Sequence, residues 1–366
     1  MQIAIVGLAG AGKTTVFNTL TRGHADTGGY GGMQLNVGVV KVPDARLARL
    51  AEIFHPRRVV QADVTYVDLP APPPSSDGRI GTEELPAEHL ARLRDADALL
   101  HVIRAWDDPA IPHPAGSVDP ARDLEQLDLE FTLADLAVVD RRLERLRTGR
   151  HGTPAEREAN DREEGLLARL KAALEAGRAI RDVELEVGEE KAIRGFRFLT
   201  QKPVLVLLNV GESDLPRATA LATEVAAGYD HRHALVDALS AKIEMELGEI
   251  EPDEARAFMD ELGLTESSLD RVIHLSYRLL GLISFLTAGP DEVRAWPVPD
   301  GSTAVDAAGA IHTDLAKGFI RAETVAYDDL LELGSMADAK KAGRLRSEGK
   351  TYRVRDGDVV EILFSR

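Results

Sequence analysis

The stretch GLAGAGKT, Gly7 to Thr14, decides the fold. It fits the pattern G-x-x-x-x-G-K-[ST], follows the apolar run IAIVG (3–7) directly, and precedes KTTVFNTLTR (13–22), whose apolar residues recur at helical spacing. Between a strand and a helix, small residues let successive backbone N–H groups wrap a β-phosphate, and the helix start adds the positive end of its dipole. A chance glycine-rich turn is the alternative, and both flanks argue against it. The stretch therefore predicts a P-loop that binds a nucleotide.

Each part of this loop has an expected role. We expect Lys13 to lie against the β- and γ-phosphate oxygens and to serve catalysis, and Thr14 to offer its hydroxyl to Mg²⁺. A nucleoside triphosphate is then the expected substrate and Mg²⁺ the expected cofactor. The predicted phosphate-binding residues are Gly7, Leu8, Ala9, Gly10, Ala11, Gly12, Lys13, Thr14 and Thr15.

The remaining chain predicts three structural parts. Short aliphatic runs at 98–103 and 204–209, with helical patterns between them, indicate an α/β fold with a doubly wound, mainly parallel sheet over residues 1–120 and 188–280. Leucines at helical spacing within 121–187 indicate an inserted antiparallel helical hairpin, either an arm that recognises a partner or a structural elaboration. Alternating strand patterns with Asp-Gly turns indicate a small α+β domain over 281–366.

Two further segments fall where nucleotide-binding loops lie. Asp68, at the end of the run VTYVDL (64–69), is placed to hold the magnesium, its alternative being a cap of a turn or helix. A base-reading loop is expected at Asn209, Val210 and Glu212, and a second at Ser240, Ala241 and Lys242. A guanine reader conventionally has Lys and Asp where Val210 and Glu212 stand, whereas an Asn side chain suits the N7 and N6 groups of adenine.

Composition limits the class of protein. The formal net charge of −17 argues against indiscriminate nucleic-acid binding, and the absence of cysteine excludes disulfides, thiol nucleophiles and thiolate metal sites. The chain has no long apolar run and no secretory signal pattern, so we expect a cytoplasmic protein without a membrane partner, with a monomer as the default state. Two basic runs, 141–150 and 340–355, are either solvated faces or contacts for RNA.

Four longer stretches resemble signatures of the Obg-like ATPase family, also called YchF. They are NVGVVKVPDARLARLAEI (36–53), RDADALLHVIRAW (94–106), SAKIEMELGEI (240–250) and AAGAIHTDLAKGFIRAETVAYDDL (307–330). The resemblance covers nearly the whole chain. It implies a P-loop domain, an inserted arm and a C-terminal TGS domain of the β-grasp type, a preference for ATP, and association with ribosomal RNA through the arm and the TGS domain.

The resemblance also points to a catalytic residue, and the chain departs from the family pattern in its two switch segments. Aligning RAWDDPAIPH (104–113) with the family pattern places His113 at the proposed catalytic histidine, where an imidazole can orient or deprotonate water. Gly32 stands where the family has a threonine in its first switch, and Ala71, followed by three prolines, stands where the second switch has glycine. Prolines fix φ and lack an N–H, so sensing of the γ-phosphate is expected to weaken.

Three functions follow from this sequence. The first is a slow, Mg²⁺-dependent ATPase that acts as a ribosome-associated regulator, slow because few groups are available to stabilise developing charge. The second is a nucleotide-binding interaction protein with little hydrolysis. The third is a guanine-specific GTPase.

Overall fold

The computed structural model describes residues 1–23, 35–69, 87–149, 153–261 and 267–365. The chain forms two compact units, one of Met1–Gly38 and Thr65–Leu269, the other of Val39–Val64 and Asp270–Arg366. The predicted division differs from this one, because it left residues 39–64 in the P-loop domain and began the last domain at residue 281.

The described strands build two sheets. They are β1 (Gln2–Val6), β2 (Asn36–Lys41), β3 (Arg58–Val60), β4 (Asp63–Asp68), β5 (Ala98–Ala105), β6 (Val204–Val210), β7 (Ala234–Leu239), β8 (Leu282–Ala288), β9 (Glu292–Pro299), β10 (Phe319–Ala326), β11 (Arg346–Glu348) and β12 (Asp358–Phe364). The first sheet has the order β2-β4-β1-β5-β6-β7 and the second β11-β10-β12-β8-β9-β3.

The first sheet is the predicted α/β sheet. Strand β1 pairs in parallel with β4 and β5, and β6 pairs in parallel with β5 and β7. Strands β5 and β6 are buried almost throughout, which explains their continuous aliphatic sequences. The strand order reverses at β1, so the loop after β1 lies at the crevice where ligands bind in doubly wound sheets.

The described helices surround these sheets. They are α1 (Lys13–Thr21), α2 (Ala45–Phe54), α3 (Ala87–Asp95), α4 (Pro120–Thr148), α5 (Pro154–Glu175), α6 (Glu189–Ile193), α7 (Ala218–Gly228), α8 (Ala241–Glu249), α9 (Pro252–Glu261), α10 (Ser268–Leu279), α11 (Ala304–Ile311), α12 (Thr313–Lys317), α13 (Tyr327–Leu333) and α14 (Met336–Lys341). Of these, none is both long enough and apolar enough to cross a membrane.

Helices α4 and α5 form the predicted hairpin. Helix α4 begins after the N-cap Asp119, and α5 begins with a capping box between Thr153 and Glu156. The two helices run antiparallel, since Arg142 pairs with Glu163 while the earlier Asp140 pairs with the later Lys171. Their contact is a leucine-rich core that continues into the following segment: Val139, Leu143, Leu146, Leu166, Leu167, Leu170, Leu174, Ile180, Ile193 and Phe198.

The second unit has the predicted α+β character. Strand β8 pairs antiparallel with β9, and β10 pairs antiparallel with β12. Helix α11 packs on this sheet through Ala304, Ala307 and Ala308, which lie in one core with Phe285. Strand β3 pairs in parallel with β9, which explains why residues 39–64 belong to this unit despite their early place in the sequence.

Candidate nucleotide-binding site

The loop between β1 and α1 has a shape that requires glycine at two positions. Gly7 has a φ of 145°, and a Cβ atom there would lie 2.2 Å from the carbonyl oxygen of Val102. Gly12 has a φ of 91°, and its Cβ atom would lie 2.4 Å from Nδ2 of Asn209. Side chains rarely adopt such positive φ values, and neither position has room for one. The glycines of the motif therefore allow the loop to lie close to β5 and β6.

The first turn of α1 is open to an anion. Its N-cap is Gly12, so no side chain occupies the backbone N–H groups there, and the turn carries no acidic residue. Unpaired N–H groups and the positive dipole end favour a phosphate. The predicted residues Leu8, Ala9, Gly10 and Ala11 form the loop that leads into this turn, and Thr15 lies within it.

Lys13 lies folded over the loop. Its Nζ atom donates to the carbonyl oxygens of Gly7 and Leu8, both at 2.9 Å. Burial of the ammonium group lowers the pKa of Lys13 to about 8, although the charge of Asp68 acts in the opposite direction. The lowered pKa means that this cation is poorly compensated by the protein alone, so it is suited to pairing with phosphate oxygens.

The carboxylate of Asp68 lies in direct contact with the side chain of Thr14. Thr14 Oγ1 donates to Asp68 Oδ2 at 2.9 Å, and Asn36 Nδ2 donates to the same oxygen at 3.3 Å. Asp68 is fully buried, and among the described residues its Oδ1 has no hydrogen-bond partner. Burial raises the pKa of the Asp68 carboxyl above its ordinary value, against the opposing effects of Thr14, Asn36 and Lys13.

A Mg²⁺ ion fits this pair of residues. A buried carboxylate oxygen without a partner costs free energy that a cation would recover, and oxygen atoms are the ligands that Mg²⁺ prefers. Within the ranges that the structure describes, no cluster of three or more acidic or histidine side chains forms a ready-made metal cage. Mg²⁺ would therefore take most of its ligands from a nucleotide and water, as is usual for this ion.

The side chain of Asn209 is hydrogen-bonded to two other segments of the site, so only part of it is available to a base. Its Nδ2 donates to the carbonyl oxygen of Ala11 at 3.0 Å, and its Oδ1 accepts from the backbone N–H of Ala241 at 3.1 Å. The side chain is 5% exposed. One amide hydrogen and one lone pair remain for an adenine. Asn209 thus holds the phosphate loop against the first residue of α8.

The other predicted base-loop residues divide by exposure. Val210 is buried in the core of the unit, so it cannot cover a base, and Ser240 and Ala241 are buried as well. Glu212 is exposed, and Lys242 is an exposed side chain that lies 3.9 Å from Glu246. Only Glu212 and Lys242 are free to approach a base from solvent.

His113 lies in a buried contact with α4. Its Nε2 is 2.8 Å from Asp123 Oδ2, and its Nδ1 accepts from the backbone N–H of Ala115 at 3.1 Å. Arg122 also donates to Asp123, at 2.8 Å. In this conformation neither ring nitrogen of His113 is available to water, which is contrary to what a catalytic role requires. The ring has to leave Asp123 before it can act.

Two residues at the site were missed by sequence reasoning. Asn36 supplies the second hydrogen bond to Asp68, and Arg104 lies beside the P-loop. The signal for Arg104 was present, because a charged residue near the end of the apolar run 98–105 is unusual for a strand buried on both faces. The departures at Gly32 and at Ala71 to Pro74 lie outside the described residues.

Comparison with known families finds one match near each end of the chain. A family model described as "50S ribosome-binding GTPase" matches residues 2–134, which include the P-loop. A second model, named YchF-GTPase_C and described as "Protein of unknown function (DUF933)", matches residues 282–365.

Comparison with individual proteins covers the whole chain. It is 40% identical over 374 residues to the "Ribosome-binding ATPase YchF" of Bacillus subtilis, with 100% of this chain and 99% of the relative covered. It is 38% identical over 368 residues to the protein of the same name from Escherichia coli O157:H7, with the same coverage. The solved structure of the Schizosaccharomyces pombe YchF GTPase superimposes with a TM-score of 0.86 at 29% identity, covering 99% of this chain and 97% of that one.

Proposed function

Because this chain belongs to the YchF family, we propose that it is a Mg²⁺-dependent ATPase of slow turnover that associates with ribosomes in the cytoplasm. The observation that carries the proposal is the contact of Thr14 with Asp68 beside the P-loop, where one buried carboxylate oxygen has no hydrogen-bond partner in the described part of the chain. The proposed nucleotide-binding residues are those predicted for the P-loop and the two base loops.

The residues of the chain have distinct parts in this reaction. The loop N–H groups hold the phosphates, and Lys13 moves its ammonium group from the carbonyls of Gly7 and Leu8 to phosphate oxygens. Thr14 and Asp68 hold the metal ion, which offsets charge on the β- and γ-phosphates when it is bound. We expect slow turnover because the proposed catalytic His113 is held by Asp123 and because Ala71 replaces the second-switch glycine.

Replacing Asp68 by asparagine should remove most of the gain in ATP affinity that Mg²⁺ provides. Unmodified protein is expected to bind ATP about tenfold more tightly with Mg²⁺ than with EDTA, whereas Asp68→Asn should gain less than about threefold, since an amide is a weaker ligand for a hard cation. Calorimetric titration of ATP in both buffers measures this. Asp135→Asn is the matched control, because that buried carboxylate already accepts from Leu199, Thr200 and Arg94. An unchanged Mg²⁺ response in Asp68→Asn would contradict the metal assignment.

The affinity for ATP should fall above about pH 8. The pKa of Lys13 in the free protein is about 8, and bound phosphates raise it, so ATP binding takes up one proton above that pH. The dissociation constant should therefore change by less than about twofold from pH 7.5 to 8 and then rise with a slope that approaches about tenfold per pH unit by pH 9.5. Titrations from pH 7.5 to 9.5 test this. A flat profile would show that Lys13 does not exchange its partners.

The lowered pKa of Lys13 also predicts how the stability of the nucleotide-free protein depends on pH. Between about pH 8 and the ordinary lysine pKa of 10.5, the unfolded chain binds more protons at Lys13 than the folded chain does. The free energy of unfolding should consequently rise with pH in this window. Lys202→Gln is the comparison variant in both experiments. Burial also lowers the pKa of Lys202 to about 8, but this lysine does not belong to the P-loop.

The test of the proposed function is ATP binding and steady-state phosphate release on one preparation, with Mg²⁺ or EDTA and with or without ribosomes. Binding without release would favour a nucleotide-binding interaction protein, a candidate that the engaged His113 supports. Competition between ATP and GTP decides the base, since the chain's relatives are named both ATPase and GTPase. Tighter binding of GTP would overturn the ATP assignment.

For the ribosome, we propose contacts from exposed cations that lack an acidic partner. In the hairpin, Arg142 and Arg147 pair with Glu163 and Glu164, which leaves Arg141 and Arg145 without an ion pair among the described residues. In the run 340–355, a second set is paired with nearby acids: Lys341, Arg344 and Arg346. Lys340 and Lys350 are exposed and have no described partner.

Two variants of equal charge separate these sets. One changes Arg141, Arg145, Lys340 and Lys350 to glutamine, and the other changes the paired Arg142, Arg147, Lys341 and Arg344. Each lost phosphate contact should flatten the dependence of log K on log salt by about 0.7–0.9. We expect the first variant to co-sediment with ribosomes more weakly and less salt-dependently than the second. Equal co-sedimentation of both variants and the unmodified protein would leave these runs as solvated surface.

A further inference from the structure

Arg104 is a buried cation with an incomplete set of partners. It lies near the end of β5 and is 1% exposed. Its Nε donates to the carbonyl oxygen of Trp106 at 3.0 Å, and its Nη2 donates to that of Ile111 at 2.7 Å. The guanidinium also lies over the Trp106 ring, 4.0 Å from the ring centroid. No carboxylate of the described residues forms an ion pair with it, which is unusual because a buried charge is costly without one.

The unused donor is Nη1, and it lies at the phosphate loop. This atom is buried and has no hydrogen-bond partner among the described residues. A Cβ atom built on Gly10 would lie 3.6 Å from it. Guanidinium N–H groups match phosphate oxygens in geometry and charge. The two hydrogens of Nη1 are therefore the part of this side chain that the described residues leave without an acceptor.

The strand pairing places Arg104 beside the base-reading loop. Arg104 lies opposite Asn209 in the parallel pair of β5 and β6, and Asn209 holds the loop at Ala11. Guanine-reading loops have a lysine one residue later, but Val210 occupies that position here and is buried in the core. The flank of the P-loop at Gly10 therefore has a cation from β5, next to a base loop in which Val210 stands at the lysine position.

We propose that Arg104 is a nucleotide-binding residue whose Nη1 donates to an oxygen of the bound nucleotide, in place of the lysine that the base loop lacks. The phosphate chain is the favoured acceptor, because Gly10 belongs to the loop that wraps the phosphates. The inference rests on the proposed function in one respect, namely that a nucleotide occupies the P-loop. The contacts of Nε and Nη2 with Trp106 and Ile111 hold the guanidinium in place before the nucleotide arrives.

The test compares three variants. Arg104→Met keeps the volume and removes the buried charge, a change that folded proteins often tolerate, and Arg104→Gln removes the charge but keeps polarity. Arg181→Gln is the matched control, because Arg181 is also a buried arginine that donates to a backbone carbonyl, that of Thr200. Thermal melting without nucleotide checks each fold, and calorimetric titration gives the affinities for ATP and ADP.

We expect both Arg104 variants to bind ATP about 10- to 100-fold more weakly, the loss typical of a hydrogen bond from a charged donor. Arg181→Gln should stay within about twofold of the unmodified protein, even if it melts at a lower temperature. Arg104→Lys should recover part of the loss, since it restores a cation. A purely structural role would lower the melting temperature of Arg104→Met and Arg181→Gln alike without this selective loss of affinity.

Comparing the affinities for ATP, ADP and adenosine identifies which oxygen of the nucleotide accepts the hydrogen bond from Arg104. Loss for ATP alone would identify the γ-phosphate, equal loss for ATP and ADP the inner phosphates, and an equal loss that extends to adenosine the ribose. Folded Arg104→Met or Arg104→Gln protein that binds ATP and ADP within twofold of the unmodified protein would overturn the proposal. If the unmodified protein binds ATP and releases no phosphate, the ATPase proposal fails while the role of Arg104 can still be measured by binding.

Discussion

Lys13→Gln is expected to weaken ATP binding by about 100-fold or more and to abolish measurable phosphate release. The ammonium group is placed to contact two phosphate oxygens, and each hydrogen bond from a charged donor contributes about 1.5–3 kcal/mol. The protein without nucleotide should not lose stability, because burial of the Lys13 charge is unfavourable, as its pKa of about 8 indicates. Loss of function with unchanged or higher melting temperature is thus the expected signature, measured by calorimetric titration, phosphate release and thermal melting.

Lys202 provides the matched control for that experiment. It is also a buried lysine whose pKa is lowered to about 8, and its Nζ donates to the backbone carbonyls of Arg94 and Ala96. By the same argument, Lys202→Gln should leave the stability unchanged or higher, but it should not affect the affinity for ATP. If Lys13→Gln bound ATP as tightly as Lys202→Gln does, the P-loop would not be the nucleotide site.

His113→Ala is expected to lower phosphate release by about 100-fold or more, the lower end of the usual contribution of a general base. Although the ring is bonded to Asp123 here, catalytic groups often reach their working geometry only in the complex with substrate. The same change should lower the free energy of unfolding by about 1–3 kcal/mol, since it leaves the buried Asp123 with one partner fewer. Phosphate release at saturating ATP and denaturant unfolding measure the two effects.

Asp123→Asn separates catalysis from structure in the His113 pair. It weakens the contact that holds the imidazole but keeps the imidazole itself, so stability should fall by a similar amount, while phosphate release should be unchanged or higher because the ring leaves Asp123 more easily. Equal losses of release in His113→Ala and Asp123→Asn would mean that the pair serves only to fasten the 106–116 loop to α4. The catalytic assignment of His113 would then be abandoned.

The P-loop could be predicted from the sequence because its information is local. Gly7 to Thr14, the strand before them and the helix after them are contiguous, so one motif specifies the turn, the open start of the helix and the position of the Thr14 hydroxyl. Asp68 was also predictable, since a carboxylate at the end of a parallel strand must lie at the same edge of the sheet as the P-loop. In this structure it contacts Thr14.

Other features depend on pairings between distant residues, and sequence patterns do not contain them. Residues 39–64 join the second unit because β3 finds its partner in β9, and nothing within β3 specifies that choice. The engagement of His113 by Asp123 depends on how a loop packs on the start of α4. Arg104 acquires its significance only when β5 and β6 pair, which brings it beside a base loop that lacks lysine.

The amide of Asn209 has a consequence for the thermodynamics of binding. By joining Ala11 to Ala241, it orders the phosphate loop and the start of α8 while the chain folds, so the conformational entropy of these segments is lost then and not when ATP arrives. A ligand that meets a preorganised site has less ordering to offset with its own contacts. Association should accordingly show a small entropic penalty from the protein and an association rate limited by diffusion into the crevice and not by loop closure.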